Sequence, residues 1–241
     1  MHRTPASAAL LLACALAVSG CSGAKPSEPD AGSGGIGGGG DAAATALRAV
    51  DTLTVKGRAP KKGYSRDEFG KGWLDTNANE CTTRDDVLRR DLVNTRFKGD
   101  GCRVTSGVLK KDPYGGKRLK FERGDSNVDI DHVVALSDAW QKGAGKWDRA
   151  KRIAFANDPL NLLAVSASAN RRKGDGDAAS WLPANRAFRC PYVATQVAVK
   201  KKYELWVTAA ERDAMRRVLE DCRAQTLPSG GTPTRPPGKY R

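Results

Sequence analysis

The chain has 241 residues, 39% of them hydrophobic, and carries 41 Lys and Arg against 27 Asp and Glu, a formal net charge of +14. A basic balance of this size favours polyanions as partners, whether nucleic acid, anionic lipid or acidic cell-wall polymer, without choosing among them. The two histidines, one of them His2 at the extreme N-terminus, exclude a metal site built from several imidazoles.

His2 and Arg3 precede an apolar run from Ala6 to Val18 that ends in "VSGC" at Val18 to Cys21. A run of this kind is a secretory signal, too short to span a membrane, so residues 1–20 are expected to be removed. Its end resembles the bacterial lipobox, which makes Cys21 the expected lipidation site. Residues 21–46, rich in Gly, Ser and Ala, read as a flexible tether reaching about 25–30 Å. The reading places the mature protein outside the cytoplasm, as a cell-membrane lipoprotein or, if Cys21 is incidental, as a secreted protein. Loss of Arg3 leaves 40 basic and 27 acidic residues, or +13. Residues 47–223 are the size of one domain, and 224–241 read as an unstructured tail.

With Cys14 in the leader and Cys21 lipidated, Cys81, Cys102, Cys190 and Cys222 remain in an oxidising compartment. An even count there points to two disulfides, with neighbour pairing, Cys81 to Cys102 and Cys190 to Cys222, favoured among the three arrangements. The four are too scattered for a zinc site.

In chain order, Thr83 precedes "RDDVLRRDL", where acidic residues in the first turn and Val87, Leu88 and Leu92 at helical spacing predict a helix. "CRVTSGVL", the turn-rich "KKDPYGGK" and "RLKFERG" predict a β-hairpin. "NVDIDHVVAL" starts as a further strand, and Ser137 is placed to cap a short helix ending at Gly143. A helix over Trp147 to Ala156 is stopped by "NDP" at Asn157 to Pro159, and "LNLLAVS" is a short strand or extended loop. Ser166 or Ser168 caps a helix carrying Asn170 and Lys173, and Thr208 with Glu211 has capping-box spacing before Met215, Val218, Leu219 and Cys222. The run Lys200 to Lys202 reads as a solvated face. Trp73, Trp140, Trp147, Trp181 and Trp206 read as core or lid packing. Strands and helices mix without regular alternation, so the fold class is α+β.

Asp129, Asp131 and His132 bring carboxylates next to a proton acceptor, the side-chain types that metal-assisted hydrolysis requires. A calcium loop fails on spacing: counting twelve positions from Asp129 or from Asp175 reaches Trp140 or Arg186, where a bidentate Glu is needed. A Ser/His/Asp triad stays open, because His132 is available to any serine, though no GxSxG supplies an exposed nucleophile.

"DIDHVVAL" followed about thirty residues later by "NDPLNLLAVSASANRRKGD" resembles the HNH endonucleases of the His-Me finger, or ββα-metal, superfamily, in the branch whose first motif reads DxDH. The chain is also similar to small secreted bacterial HNH-family proteins from about Cys81 to Cys222. The resemblance implies that His132 activates water and that Asn161 braces the loop between two strands. By the same resemblance, Asp131 and Asn170 bind the metal and Asp129 supports them from behind. Two hard oxygen donors, completed by waters and phosphate, suit Mg²⁺, with Mn²⁺ an alternative. Arg171 and Lys173 are the candidate phosphate contacts. Neighbouring side chains of an ideal strand point to opposite faces, so Asp131 and His132 meet one phosphate only if the strand ends there.

The expected activity is that of an exported endonuclease hydrolysing phosphodiester bonds, most plausibly of DNA and with little sequence preference, leaving 5′-phosphate ends. The alternative is a binding lipoprotein that keeps the fold and holds DNA or cell-wall polymer without cutting it. A histidine of ordinary pKa, about 6.5, would give cleavage that rises with pH through that value. Cys21→Ala is expected to release the protein from the membrane fraction. Unchanged fractionation, with no lipid mass on the wild type, counts against the anchor.

Overall fold

The computed structural model of the chain describes residues 45–99 and 101–229; the leader 1–20, Cys21, most of the tether and the end of the tail lie outside them. Helices begin where side-chain oxygens meet their first free amides. Thr45 caps α1 (Ala46–Val50) and Thr82 caps α2 (Thr83–Asp91). Strand β1 (Val93–Phe97) pairs antiparallel with β2 (Val104–Leu109), which pairs with β3 (Leu119–Glu122) in the expected hairpin. Strand β4 (Val128–His132) pairs antiparallel with β5 (Leu162–Ser166) in a separate two-stranded sheet.

The long connection between β4 and β5 carries α3 (Leu136–Gln141) and α4 (Arg149–Ala156). Ser137 does not cap α3. Ala135 holds the cap position, and Ser137 lies buried within the first turn, because Asn161 already fixes the amides of Val133 and Val134 and turns the chain into the helix there. Asp148 caps α4, and Ser166 caps α5 (Ala167–Lys173), which follows β5 without a loop. Helix α6 (Arg189–Tyr203) then leads to α7 (Ala209–Glu220), whose capping box between Thr208 and Glu211 is present.

The result is a mixed α+β fold with both expected disulfides, Cys81–Cys102 and Cys190–Cys222. One apolar cluster gathers α1, α6 and α7 around Val50, Tyr192, Val197, Met215 and Leu219. A second joins Phe69, Phe155 and Tyr203, and a third places Val87, Leu88 and Phe121 against Ile130, Leu162 and Ala164 of the two-stranded sheet. Beyond 47–223, Thr45 bridges Thr226 and the Ala46 amide donates to the Gln225 carbonyl. Trp140, Trp147 and Trp181 pack against these clusters.

Residues 51–82 form a strap across the domain. Val55 bridges Val207, the Ala59 amide donates to the Gln141 carbonyl, and the Leu74 amide donates to Asn157 Oδ1. Arg58 pairs with Asp138 and Asp177, and both carboxylates also hold the fully buried Lys142 at 2.6 and 2.8 Å. Glu211 completes the cluster, 2.6 Å from Lys142 and 3.0 Å from Lys200.

Lys200 therefore corrects the reading of 200–202 as a solvated face. Its side chain is fully buried, while Lys201 and Lys202 are exposed, Lys202 reaching inward to the buried carboxylate of Asp158 at 2.6 Å. Asp138 Oδ1 lies 2.6 Å from Lys142 Nζ and Glu211 Oε1 3.0 Å from Lys200 Nζ, both at ion-pair distance. Burial alone would raise Asp138, yet Lys200 and Lys142 hold its carboxyl below the usual range.

Removing one member leaves the opposite charge buried without full compensation, which typically costs about 3–5 kcal/mol. Lys200→Ala is expected to lower unfolding free energy by that amount in denaturant titration of the oxidised protein. A loss below about 1 kcal/mol, typical of an exposed pair, would show that the cluster carries no such weight.

Candidate active site

Strand β4 sets the site by its alternation. Asp129 and Asp131 share one face, and α5 lies over that face with Asn170 and Lys173 three residues apart. Asn170 Nδ2 donates to Asp129 Oδ2 at 3.1 Å, and Lys173 Nζ donates to Asp131 Oδ1 at 3.0 Å and to the His132 carbonyl at 2.9 Å. Tyr114, from the turn between β2 and β3, donates its hydroxyl to Asp131 Oδ2. That turn is built on Asp112, whose carboxylate accepts from the amides of Tyr114, Gly115 and Ser166 and so docks the hairpin onto the start of α5.

His132 is the last residue of β4 and is 6% exposed. Its Nε2 lies 2.8 Å from the Ala156 carbonyl at the end of α4. A carbonyl only accepts, so Nε2 carries the hydrogen and Nδ1 keeps the free lone pair. The indole of Trp73 stacks on the imidazole, with centroids 5.7 Å apart and planes 9° from parallel. Asn161 Oδ1 accepts from the Val134 amide at 2.8 Å and its Nδ2 donates to the Val134 carbonyl, fixing the chain just beyond His132.

Because β4 ends at His132, residues of both its faces reach one cavity. A space of about 220 Å³ is lined by Asp131, His132 and Asn170 together with Tyr64, Arg66 and Asp175. A second, narrower space against the other side of the imidazole is lined by Arg66, Phe69, Trp73 and Ala156. The larger apolar cavity of about 380 Å³ around Leu160, Leu163 and Phe188 contains none of Asp131, His132 and Asn170.

Two expectations change. Lys173 is not positioned as a phosphate contact: it is buried, and its ammonium is committed to Asp131 and the His132 carbonyl. Arg171, two residues earlier on α5, is exposed. His132 does not titrate near 6.5, because burial lowers it to about 3 and the nearby Arg66 and Lys173 charges act in the same direction. The cleavage rate therefore has no reason to rise through 6.5 on account of this residue. Burial pushes the Asp131 carboxyl up, opposed by Lys173 and by the Tyr114 hydroxyl. Tyr114, Trp73 and Arg66 had no signal in the sequence, since a turn, a dispersed tryptophan and one arginine among many carry no spacing.

The donor set suits a divalent cation only in part-coordination. Among the described residues no three His, Cys, Asp or Glu side chains converge as a cage. Each Asp131 oxygen accepts one hydrogen bond and retains a lone pair, and Asn170, with Nδ2 on Asp129, keeps its Oδ1 as an acceptor. Two hard oxygens on a cavity open to water fit an ion that keeps most of its ligands as water and phosphate.

A buried neutral histidine destabilises the fold in acid. Below its unfolded pKa of about 6.5 the unfolded chain binds a proton that the folded chain refuses until about 3, so stability is lost as pH falls through that window. At pH 5 the loss is about 2 kcal/mol. His132→Gln is expected to shrink the pH 7 to pH 5 stability difference by about that amount in urea titrations; an unchanged difference means the imidazole is not held neutral.

Comparison with known proteins gives two matches. The family model described as "GmrSD restriction endonucleases, C-terminal domain" matches residues 82–218. An "Uncharacterized secreted protein" of Arthroderma benhamiae is 42% identical over 183 residues, covering 75% of this chain and 86% of that protein. The matched span includes Asp131, His132, Asn161 and Asn170, and it begins just after the strap that carries Arg66 and Trp73. The chain belongs to the family of the GmrSD restriction endonuclease C-terminal domain, an HNH-type nuclease domain.

Proposed function

We propose that this protein is an exported, divalent-metal-dependent endonuclease that hydrolyses phosphodiester bonds of DNA with little sequence preference. The observation that carries the reading is the arrangement of His132: neutral, with Nε2 on the Ala156 carbonyl and its ring among Asp131 and Asn170 at the lip of one cavity. In this reading β4, β5 and α5 are the ββα unit expected from the sequence.

His132 Nδ1 takes a proton from the attacking water, whose oxygen forms the new bond to phosphorus. The bond to the 3′ oxygen breaks, that oxygen gains a proton from solvent, and a 5′-phosphate remains. Asp131 and Asn170 would hold the ion, most simply Mg²⁺, whose chemistry when bound would be to neutralise charge on the phosphate. Asp129 orients Asn170 and Asn161 keeps the loop after His132 in place. Arg171 meets the nucleic-acid backbone through the sequence-independent attraction that a mature chain of 40 basic and 27 acidic residues, +13, supplies. Export is supported by the two disulfides and by the similarity to the secreted protein of Arthroderma benhamiae. The lipid anchor on Cys21 is part of the same proposal.

Purified protein incubated with plasmid DNA and Mg²⁺ or Mn²⁺ is expected to cut, and EDTA to stop it. His132→Ala is expected to lower turnover by about 10²- to 10⁴-fold, the share of a general base, with DNA binding retained. Asn170→Ala is the cleaner probe of the ion, since Asp131→Ala also strips Lys173 of its partner. Its activity is expected to recover partly as metal is raised. Wild-type rates from folded His132→Ala protein would refute the mechanism.

A further inference from the structure

We propose that Arg66, on the strap ahead of the family domain, binds the phosphate undergoing cleavage, so that this chain supplies its anion-holding group from outside residues 82–218. The proposal rests on the nuclease reading of the same cavity. Arg66 lines both spaces that flank the imidazole of His132, and it is the one Lys or Arg to do so.

The carboxylates of the cavity are already engaged, and their cations are accounted for. Asp131 is paired with Lys173, and Asp175 with Lys61 at 2.9 Å. Arg66 makes no hydrogen bond or ion pair among the described residues, and it is exposed. Its charge nevertheless reaches His132, whose proton affinity it lowers. An unpaired guanidinium beside a general base presents a planar fork of N–H donors matched to two phosphate oxygens.

The backbone beneath it is fixed on both sides. Upstream, Arg58 enters the buried cluster with Asp138 and Asp177, and Lys61 reaches Asp175. Downstream, Arg152 holds the Glu68 carboxylate and carbonyl, each at 3.0 Å, and Phe69 is buried against Trp140 and Phe155. Anchors this close leave the Arg66 side chain as the free element of a rigid segment. Of the sequence's two candidates for phosphate contact, Lys173 is occupied by Asp131 and Arg171 lines neither space.

The test compares wild type, Arg66→Ala, Arg66→Lys and Lys62→Ala, the last removing a charge from the same strap. Two readouts are used: hydrolysis of bis(p-nitrophenyl) phosphate, which has one diester and no flanking backbone, and binding of orthophosphate followed by calorimetry. Arg66→Ala is expected to slow hydrolysis about 10²-fold and to weaken orthophosphate about tenfold. Arg66→Lys, which keeps charge but not the fork, falls between, and Lys62→Ala matches wild type. Orthophosphate binding that is undetectable in wild type, or unchanged in Arg66→Ala, overturns the proposal. So does an Arg66→Ala protein that loses plasmid cleavage but keeps full hydrolysis of the small diester, because Arg66 would then touch a distant phosphate. A wild type that binds orthophosphate through Arg66 yet cuts neither substrate sinks the nuclease reading and leaves the anion site standing.

Discussion

Two ammonium groups taken completely out of water set the terms for this domain. Lys142 and Lys200 are compensated for their lost hydration by Asp138, Asp177 and Glu211, and Arg58 joins the two aspartates from the strap, three cations against three carboxylates. Those six side chains come from the strap, α3, the loop after α5, α6 and α7. No subset of these elements satisfies the cluster, so they order together. Asp138 stands six residues beyond His132 and Asp177 four beyond Lys173, and the cluster thereby fixes both chain segments that leave the candidate site.

The site itself solves a second version of the same problem. Asp131 is buried, and a buried carboxylate unpaired would simply take up a proton. Lys173 and Tyr114 supply partners from two different elements, so Asp131 is locked in orientation before any ligand arrives. Asn170 is held more lightly, by Asp129 alone. In the proposed reading, rigidity on one donor and latitude on the other would let an ion settle against the strand without rebuilding it. His132, the one histidine among the described residues, has its Nε2 spent on the Ala156 carbonyl, which leaves the free lone pair on Nδ1.

Local chemistry made several of these elements legible in the sequence. The Thr208–Glu211 box, Ser166 ahead of α5 and the turn-rich stretch between β2 and β3 each act over three or four residues. The motif residues of the site were legible too, because a DxDH and two asparagines keep their spacing whatever surrounds them. Helix α6 was not. Its buried residues occupy most of its circumference, so no polar face marks a period. Three consecutive lysines on a helix point in three directions, and which one turns inward is decided by Asp138 and Glu211, far away in sequence. Strand β1 reads "VNTRF", where Val93, Thr95 and Phe97 alternate with Asn94 and Arg96, but the alternation covers only five residues and none of them is buried, so no core face marks it. The roles of Trp73, Tyr114 and Arg66 exist only after the chain has folded.

The span matched by the family supplies the motif, yet in this chain it does not close the site. Six of the nine residues around the narrower space beside His132 come from the strap, Arg66, Asp67, Phe69, Gly70, Gly72 and Trp73. The depression of the His132 pKa follows chiefly from burial, and one face of that burial is the Trp73 indole. Without the strap the imidazole would meet water on that face and titrate nearer its ordinary value. Burial thus keeps the ring fully neutral at neutral pH at the expense of some basicity. The strap is tied down at its far end by the disulfide between Cys81 and Cys102, and at its near end by the pairing of Val55 with Val207. The covalent link and the buried charge cluster therefore bear on the same quantity, the protonation state of one histidine. That connects the oxidising compartment the cysteines require to the chemistry the histidine is proposed to perform.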